Sequence, residues 1–210
     1  MPIHDAFPYP LYLVISERDC SKKHWLTVAE EAILGGVDII QLREKDCSRY
    51  EFLHKAKELK KLTDHYQIPL IINDAVDIAV EIQAWGVHVG RNDIQPSEIM
   101  STYGYRLSIG WSIELLAQMM SEELQYVQHL GISPIFNTAT KKDTLSTWGI
   151  TGLRELRNLS PKPFIAIGGM HVENAKKAFD AGANSIAVVS AICASSDPRK
   201  ASHELKELLK

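Results

Sequence analysis

Phe164-Ile165-Ala166-Ile167-Gly168-Gly169-Met170 and Ser185-Ile186-Ala187-Val188-Val189-Ser190-Ala191-Ile192 decide how this chain is read. Each begins as a short apolar run of strand-forming residues and ends on small ones. Between them, Asn174-Ala175-Lys176-Lys177-Ala178-Phe179-Asp180-Ala181-Gly182 has apolar residues at helical spacing and a glycine stop. The order is strand, helix, strand, with a glycine pair just past the first strand. Backbone N–H groups at such a strand-to-helix turn are unpaired and partly positive, so they suit an anion. Glycine lets the backbone approach a ligand closely.

Outward from that stretch, the same unit repeats. Apolar strand runs fall at 11–15, 38–42, 70–72, 87–89, 106–109 and 127–132. Helical spacing follows each, over 24–34, 50–66, 76–84, from 96, over 114–124 and over 151–159. Pro96 suits the first position of its helix, and Gly35-Gly36 closes the earliest one. A last helix covers 201–209, with Asp197 as its N-cap. Eight strands alternating with eight helices predict one α/β domain over 1–210, a compact (β/α)8 TIM barrel. An open doubly wound sheet is the rival. The long connection is 134–149, and a connection of that length is usually functional. Its cations suit closure over an anionic ligand.

Composition narrows the function. With 45% hydrophobic and 23% charged residues, the chain is of ordinary soluble globular type. A net charge of -3 gives no general attraction to nucleic acid or anionic membrane. No apolar run approaches the roughly 18 residues that span a bilayer. The first residues lack the basic-then-apolar order of a secretion signal. Cys20, Cys47 and Cys193 are odd in number and without a Cys-x-x-Cys, which argues against a disulfide framework or zinc site. A cytoplasmic protein with free thiols is expected.

In barrel enzymes the working residues sit at the C-terminal ends of strands. After strand two, Gln41, Arg43 and Lys45 alternate with period two, so an extended chain puts them on one face. Cations converging there need an anionic partner. The alternative is a solvated charged loop. Asn73-Asp74 follows strand three and Asp93 follows strand four, one repeat later. Neighbouring strands would set the two carboxylates side by side, as suits Mg²⁺, which keeps several waters and takes the rest from carboxylates and phosphates. Alternatively Asp74 caps helix three and Asp93 forms a turn. Asp77, within helix three, reads as a solvated or packing residue. After strand six, Thr138, Thr140, Lys141 and Lys142 offer hydroxyls and ammonium groups to an oxyanion; a generic surface loop is the alternative. His88 reads as a packed strand histidine. Ser112 could donate to a ligand, with no nucleophile elbow around it. Cys47 has no partner base and is not read as a nucleophile.

Together, Gln41-Leu42-Arg43-Glu44-Lys45, Asn73-Asp74, Gly86-Val87-His88-Val89-Gly90 with Asp93, Pro134-Ile135-Phe136 with Thr138-x-Thr140-Lys141-Lys142-Asp143, Ala166-Ile167-Gly168-Gly169 and Val188-Val189-Ser190-Ala191-Ile192 resemble the thiamine-phosphate synthase family. That family includes the thiazole tautomerase group. Each stretch alone is a weak sign; in this order and spacing they are specific, from about Leu11 to Pro198. The resemblance implies an enzyme that joins hydroxymethylpyrimidine diphosphate to thiazole phosphate, releasing diphosphate, by a dissociative Mg²⁺-assisted route. It implies that Asp74 and Asp93 hold the metal. It assigns Arg43, Lys45, Asn73, Thr138, Thr140 and Lys141 to the diphosphate, with Arg43, Lys45 and Lys141 as the catalytic cations. Gln41 and Ser112 fall to the pyrimidine side. Gly168, Gly169, Val189 and Ser190 fall to the thiazole phosphate. No nucleic-acid or membrane partner is implied, and a homodimer is left open. The chain departs from the family at Ala75, where arginine is usual, and at Glu114, where histidine is usual. A tautomerase and a non-catalytic phosphate-ligand-binding relative are the alternatives.

Overall fold

The computed structural model describes residues 4–20, 23–138 and 147–210. Eight parallel strands close on themselves in chain order: β1 (Leu11–Ile15), β2 (Ile39–Leu42), β3 (Leu70–Asn73), β4 (Gly86–Val89), β5 (Ser108–Ile113), β6 (His129–Ile132), β7 (Phe164–Ile167) and β8 (Ser185–Val188). Closure comes from β8 pairing with β1, Leu11 opposite Ile186 and Leu13 opposite Val188. The helices are α1 (Trp25–Leu34), α2 (Arg49–His65), α3 (Val76–Glu81), α4 (Pro96–Tyr103), α5 (Gly149–Arg157), α6 (Val172–Asp180), α7 (Ser190–Cys193) and α8 (Pro198–Leu208). The chain forms the TIM barrel that its repeats predict.

Strand alternation divides the core in two. Leu11, Leu13 and Ile15 face out and join the layer between barrel and helices. Tyr12 and Val14 face in, with Ile39, Ile71, Ile165 and Ala187. Phe7 enters from the N-terminal end of the strands and is 1% exposed. Its ring meets Tyr9, Trp85 and His129 with centroids 5.1, 6.0 and 4.8 Å away, and plugs that end of the barrel.

Several helix starts are set by local chemistry. Ser48 and Glu51 form a reciprocal capping box at α2. Asp197 accepts the Lys200 N–H at α8, where Pro198 takes the first position. From α8, Arg199 pairs with Glu31 of α1 at 2.9 Å and Lys206 pairs with Asp38, which also accepts the Leu11 N–H at 2.8 Å.

The fifth repeat departs from its sequence pattern. β5 runs to Ile113, past the predicted end at 109. The helix predicted over 114–124 is two 3-10 turns, Leu116–Met120 and Glu122–Tyr126. Gln118 explains the first. Its Oε1 accepts the N–H groups of Glu114 and Leu115 at 2.8 and 3.0 Å, and its Nε2 donates to the Ser112 carbonyl at 2.8 Å. Ser121 then accepts the Glu123 N–H at 3.2 Å and begins the second turn. Side-chain bonds of this kind compete with a continuing α-helix.

Candidate active site

The strands deliver their following residues to one mouth. Asp74 directly follows β3 with φ +61°, a left-handed conformation that costs a non-glycine residue about 1–2 kcal/mol. Its N–H donates to the His88 carbonyl at 2.9 Å. The N-cap of α3 is Ala75, with no side-chain cap, so Asp74 does not serve as the helix cap. Its carboxylate instead meets Lys45, Nζ to Oδ2 at 2.5 Å. Asp93 accepts the Gly90 N–H on Oδ2 at 2.8 Å, so it shapes the turn after β4 while facing the same mouth. Asp74 and Asp93 follow the paired strands β3 and β4 and line the same cavity. Burial pushes the Asp74 carboxyl above its ordinary range; Asp93 adds to this and Lys45 opposes it.

Gln41, Arg43 and Lys45 line this cavity together, as their period-two spacing predicts. Glu44, between the cations, turns away and joins Lys55 at 3.2 Å. Asn73, Ser112 and Thr138 also line the cavity. Thr140, Lys141 and Lys142, read as oxyanion ligands, lie outside the described residues, as does the middle of the 134–149 connection. Asp77 is half-exposed and bonds Arg49 at 2.7 Å. The Cys47 thiol is pushed up by burial and by Glu44, so it is not a ready thiolate.

Gly168, Gly169, Val189 and Ser190 form the opposite wall. Ser190 opens the short helix α7. Gly168 and Gly169 have φ of +102° and +63°. A Cβ on Gly168 would lie 2.6 Å from Pro134 Cβ, and one on Gly169 2.6 Å from the Asn137 carbonyl. The close approach that these glycines permit is thus to the chain leaving β6. Backbone bonds hold it there: Ile135 N–H to the Ile167 carbonyl at 2.9 Å, and Phe136 N–H to the Gly168 carbonyl at 3.0 Å.

Some lining residues stand outside the sequence-based set. Asp19, in the loop after β1, takes the Ser16 hydroxyl at 2.7 Å. Its position just past a strand was its only signal. Tyr12 accepts from Gln41 Nε2 at 2.7 Å and so braces it from below. His88, read as packed, does sit among the strands but also lines the cavity, its Nε2 2.9 Å from Ser112 Oγ. Of the two departures from the family pattern, Ala75 packs against the core. Glu114 is 9% exposed, and its Oε2 lies 3.9 Å from Arg91.

Among the described residues, no three His, Cys, Asp or Glu side chains cluster as metal ligands. Two adjacent carboxylates at a polar mouth still suit a hard cation that draws its other ligands from water and substrate oxygens. The Asp74–Asp93 pair fits Mg²⁺ on that ground. Gln41, Arg43, Lys45, Asn73, Ser112 and Thr138 add amide, hydroxyl and cationic donors to the lining, a chemistry for phosphate oxygens.

The family model described as thiamine monophosphate synthase matches residues 11–192. A thiamine-phosphate synthase of Albidiferax ferrireducens is 42% identical over 95% of this chain and 91% of its own length. One of Clostridium botulinum is 39% identical over 94% and 96%. The solved thiamine phosphate pyrophosphorylase of Pyrococcus furiosus superposes with a TM-score of 0.87 at 30% identity, covering 96% of this chain and 95% of that one. A 3-hexulose-6-phosphate synthase, at 18% identity and a TM-score of 0.72, shares the fold.

Proposed function

This chain belongs to the thiamine monophosphate synthase family, and from that premise we propose how its cavity works. The enzyme condenses hydroxymethylpyrimidine diphosphate with thiazole phosphate to give thiamine phosphate and diphosphate. The observation that carries the proposed mechanism is the Asp74–Asp93 pair, set against Lys45 in a partly buried mouth.

The carbon–oxygen bond to the diphosphate breaks first and leaves a pyrimidine-methyl cation. The thiazole nitrogen then captures that cation. No proton leaves the nitrogen in this step, so no general base is needed. The difficult demand is stabilising the negative charge on the departing diphosphate, which fixed cations and donors meet without reorganising. Asp74 and Asp93 would hold Mg²⁺, which when bound neutralises and orients the diphosphate oxygens. Arg43 and Lys45 supply positive charge at the same rim. Lys45 is 46% exposed, so it has freedom to turn from Asp74 to an incoming phosphate. Asn73 and Thr138 donate to the diphosphate, and Thr140 and Lys141 complete that set by resemblance.

Gln41 and Ser112 face the pyrimidine. Gly168, Gly169, Val189 and Ser190 anchor the thiazole phosphate at the opposite wall. Anchoring both substrates converts their encounter into a local one, and the remote phosphate supplies binding energy that aligns the thiazole. The free cysteines support a cytoplasmic setting.

Asp74→Asn and Asp93→Asn test the proposal. Each should lower diphosphate release with Mg²⁺ by about a hundredfold or more while the circular-dichroism spectrum and Tm show a folded barrel. Parental turnover in either variant would overturn the metal assignment.

A further inference from the structure

We propose that His88 is a positioning residue whose task is to fix the Ser112 hydroxyl. The proposal deepens the reading above, resting on Ser112 facing the pyrimidine.

Three features converge on it. First, His88 Nε2 lies 2.9 Å from Ser112 Oγ, a direct hydrogen bond between adjacent strands β4 and β5. Secondly, the barrel is hollowed for the His88 ring. Its ladder partner is Gly110, where a Cβ would fall 2.5 Å from His88 Nδ1. One strand further, a Cβ on Gly131 would fall 2.9 Å from Cε1 and 3.2 Å from Nε2. Neither glycine has a positive φ, so the ring's space, not the backbone, explains both. Thirdly, His129 closes the remaining side. Its ring stacks on His88 with centroids 6.0 Å apart and planes 29° apart, and a Cβ on Gly110 would also be 2.1 Å from His129 Nε2. An imidazole held between β5, β6 and a second ring has little room to turn.

Ser112 itself is pinned along its backbone, since its carbonyl accepts from Gln118 Nε2 at 2.8 Å. The rotation of its hydroxyl is the freedom left, and His88 Nε2 removes it. The hydroxyl then presents one fixed polar edge to the ring that becomes electron-poor as diphosphate departs. Preorganised orientation of this kind carries no cost at the moment of reaction. His88 is a member of the cavity wall, and it acts through its neighbour.

A double-mutant cycle tests this, using steady-state kinetics with both substrates and Mg²⁺, with Tm measured in parallel. Ser112→Ala and His88→Leu should each lower kcat/KM for the pyrimidine diphosphate by about tenfold. In the Ser112→Ala background, His88→Leu should cost nothing further. His88→Gln, which can return a polar atom to the Nε2 position, should stay within about threefold of the parent. KM for thiazole phosphate should not move. Should His88→Leu fail to fold, Gly131→Ala decides, because its methyl shifts the imidazole away from Ser112 while His88 itself is retained. It should mimic the loss, and only when Ser112 is present. Equal penalties with and without Ser112 would show a purely packing role and overturn the proposal. Parental kinetics in Ser112→Ala alone would overturn the reading of Ser112 itself, and the proposal with it.

Discussion

His129 begins β6 wholly buried against Phe7, Trp85 and His88. Burial, with His88 beside it, holds its imidazole well below the usual range. In the unfolded chain the same group titrates near its ordinary pKa of about 6.5. Below that pH the unfolded state takes up a proton that the folded state refuses, so stability falls with acidity. At higher pH both states are neutral and the term vanishes. One such site can contribute up to about 1.4 kcal/mol per pH unit. His129→Phe should therefore lose less Tm than the parent between pH 7.5 and pH 5.5, measured by calorimetry in matched salt. Parallel losses would show that His129 does not set this sensitivity. The two rim aspartates were legible in sequence, because one βα repeat separates them and each follows a strand. Burial of His129 was not legible, since neither the Phe7 plug nor the missing side chains at Gly110 and Gly131 can be placed without the folded barrel. Asp19 escaped notice because its loop carries no pattern beyond its position.

Strand–helix elements were readable where apolar spacing was regular, and the fifth repeat shows why the rest was not. Gly110 falls just past the predicted strand end at 109, yet it lies mid-strand, where two imidazoles occupy the space a side chain would take. The 114–124 stretch has helical spacing, yet Gln118 caps its opening N–H groups and Ser121 restarts the chain. The sequence singles out the turn after β7 for an anion, and in the fold its glycines serve an element-level contact. They let the chain leaving β6 lie directly against the turn after β7, the wall proposed to hold phosphate. Gly168→Ala would require a side chain at φ +102° and 2.6 Å from Pro134 Cβ. It should destabilise the barrel by about 1–3 kcal/mol. It should also raise KM for thiazole phosphate at least several-fold, with KM for the pyrimidine diphosphate little changed. Unequal KM shifts in initial-rate measurements check this. If both constants stay at parental values, the two loops do not share the anchor.

Over the whole molecule, the proposed chemistry and the aromatic plug occupy opposite ends of the barrel. The acid pair, Gln41, Ser112 and the glycine wall gather where the strands end. Phe7, Tyr9, Trp85 and His129 gather where the strands begin. That division separates two effects which most core substitutions mix. Phe7 is 1% exposed and fills the space beneath the inward-facing Tyr12, with ring centroids 6.4 Å apart. Truncation to alanine removes the ring and leaves a cavity, which for a buried aromatic costs about 3–5 kcal/mol. In a domain of this size each kcal/mol is worth about 2–4 °C, so Phe7→Ala should lower Tm by roughly 6–20 °C. Assayed well below the new Tm, however, kcat/KM should stay within about twofold of the parent, because residues touching substrate gain or lose no partner. A large fall in kcat/KM with the barrel still folded would mean that the plug reaches the site through the polar interior, by way of His129 and His88. Equal Tm values would mean that the plug does not support the fold. The expected result is a protein that melts early yet works normally at low temperature.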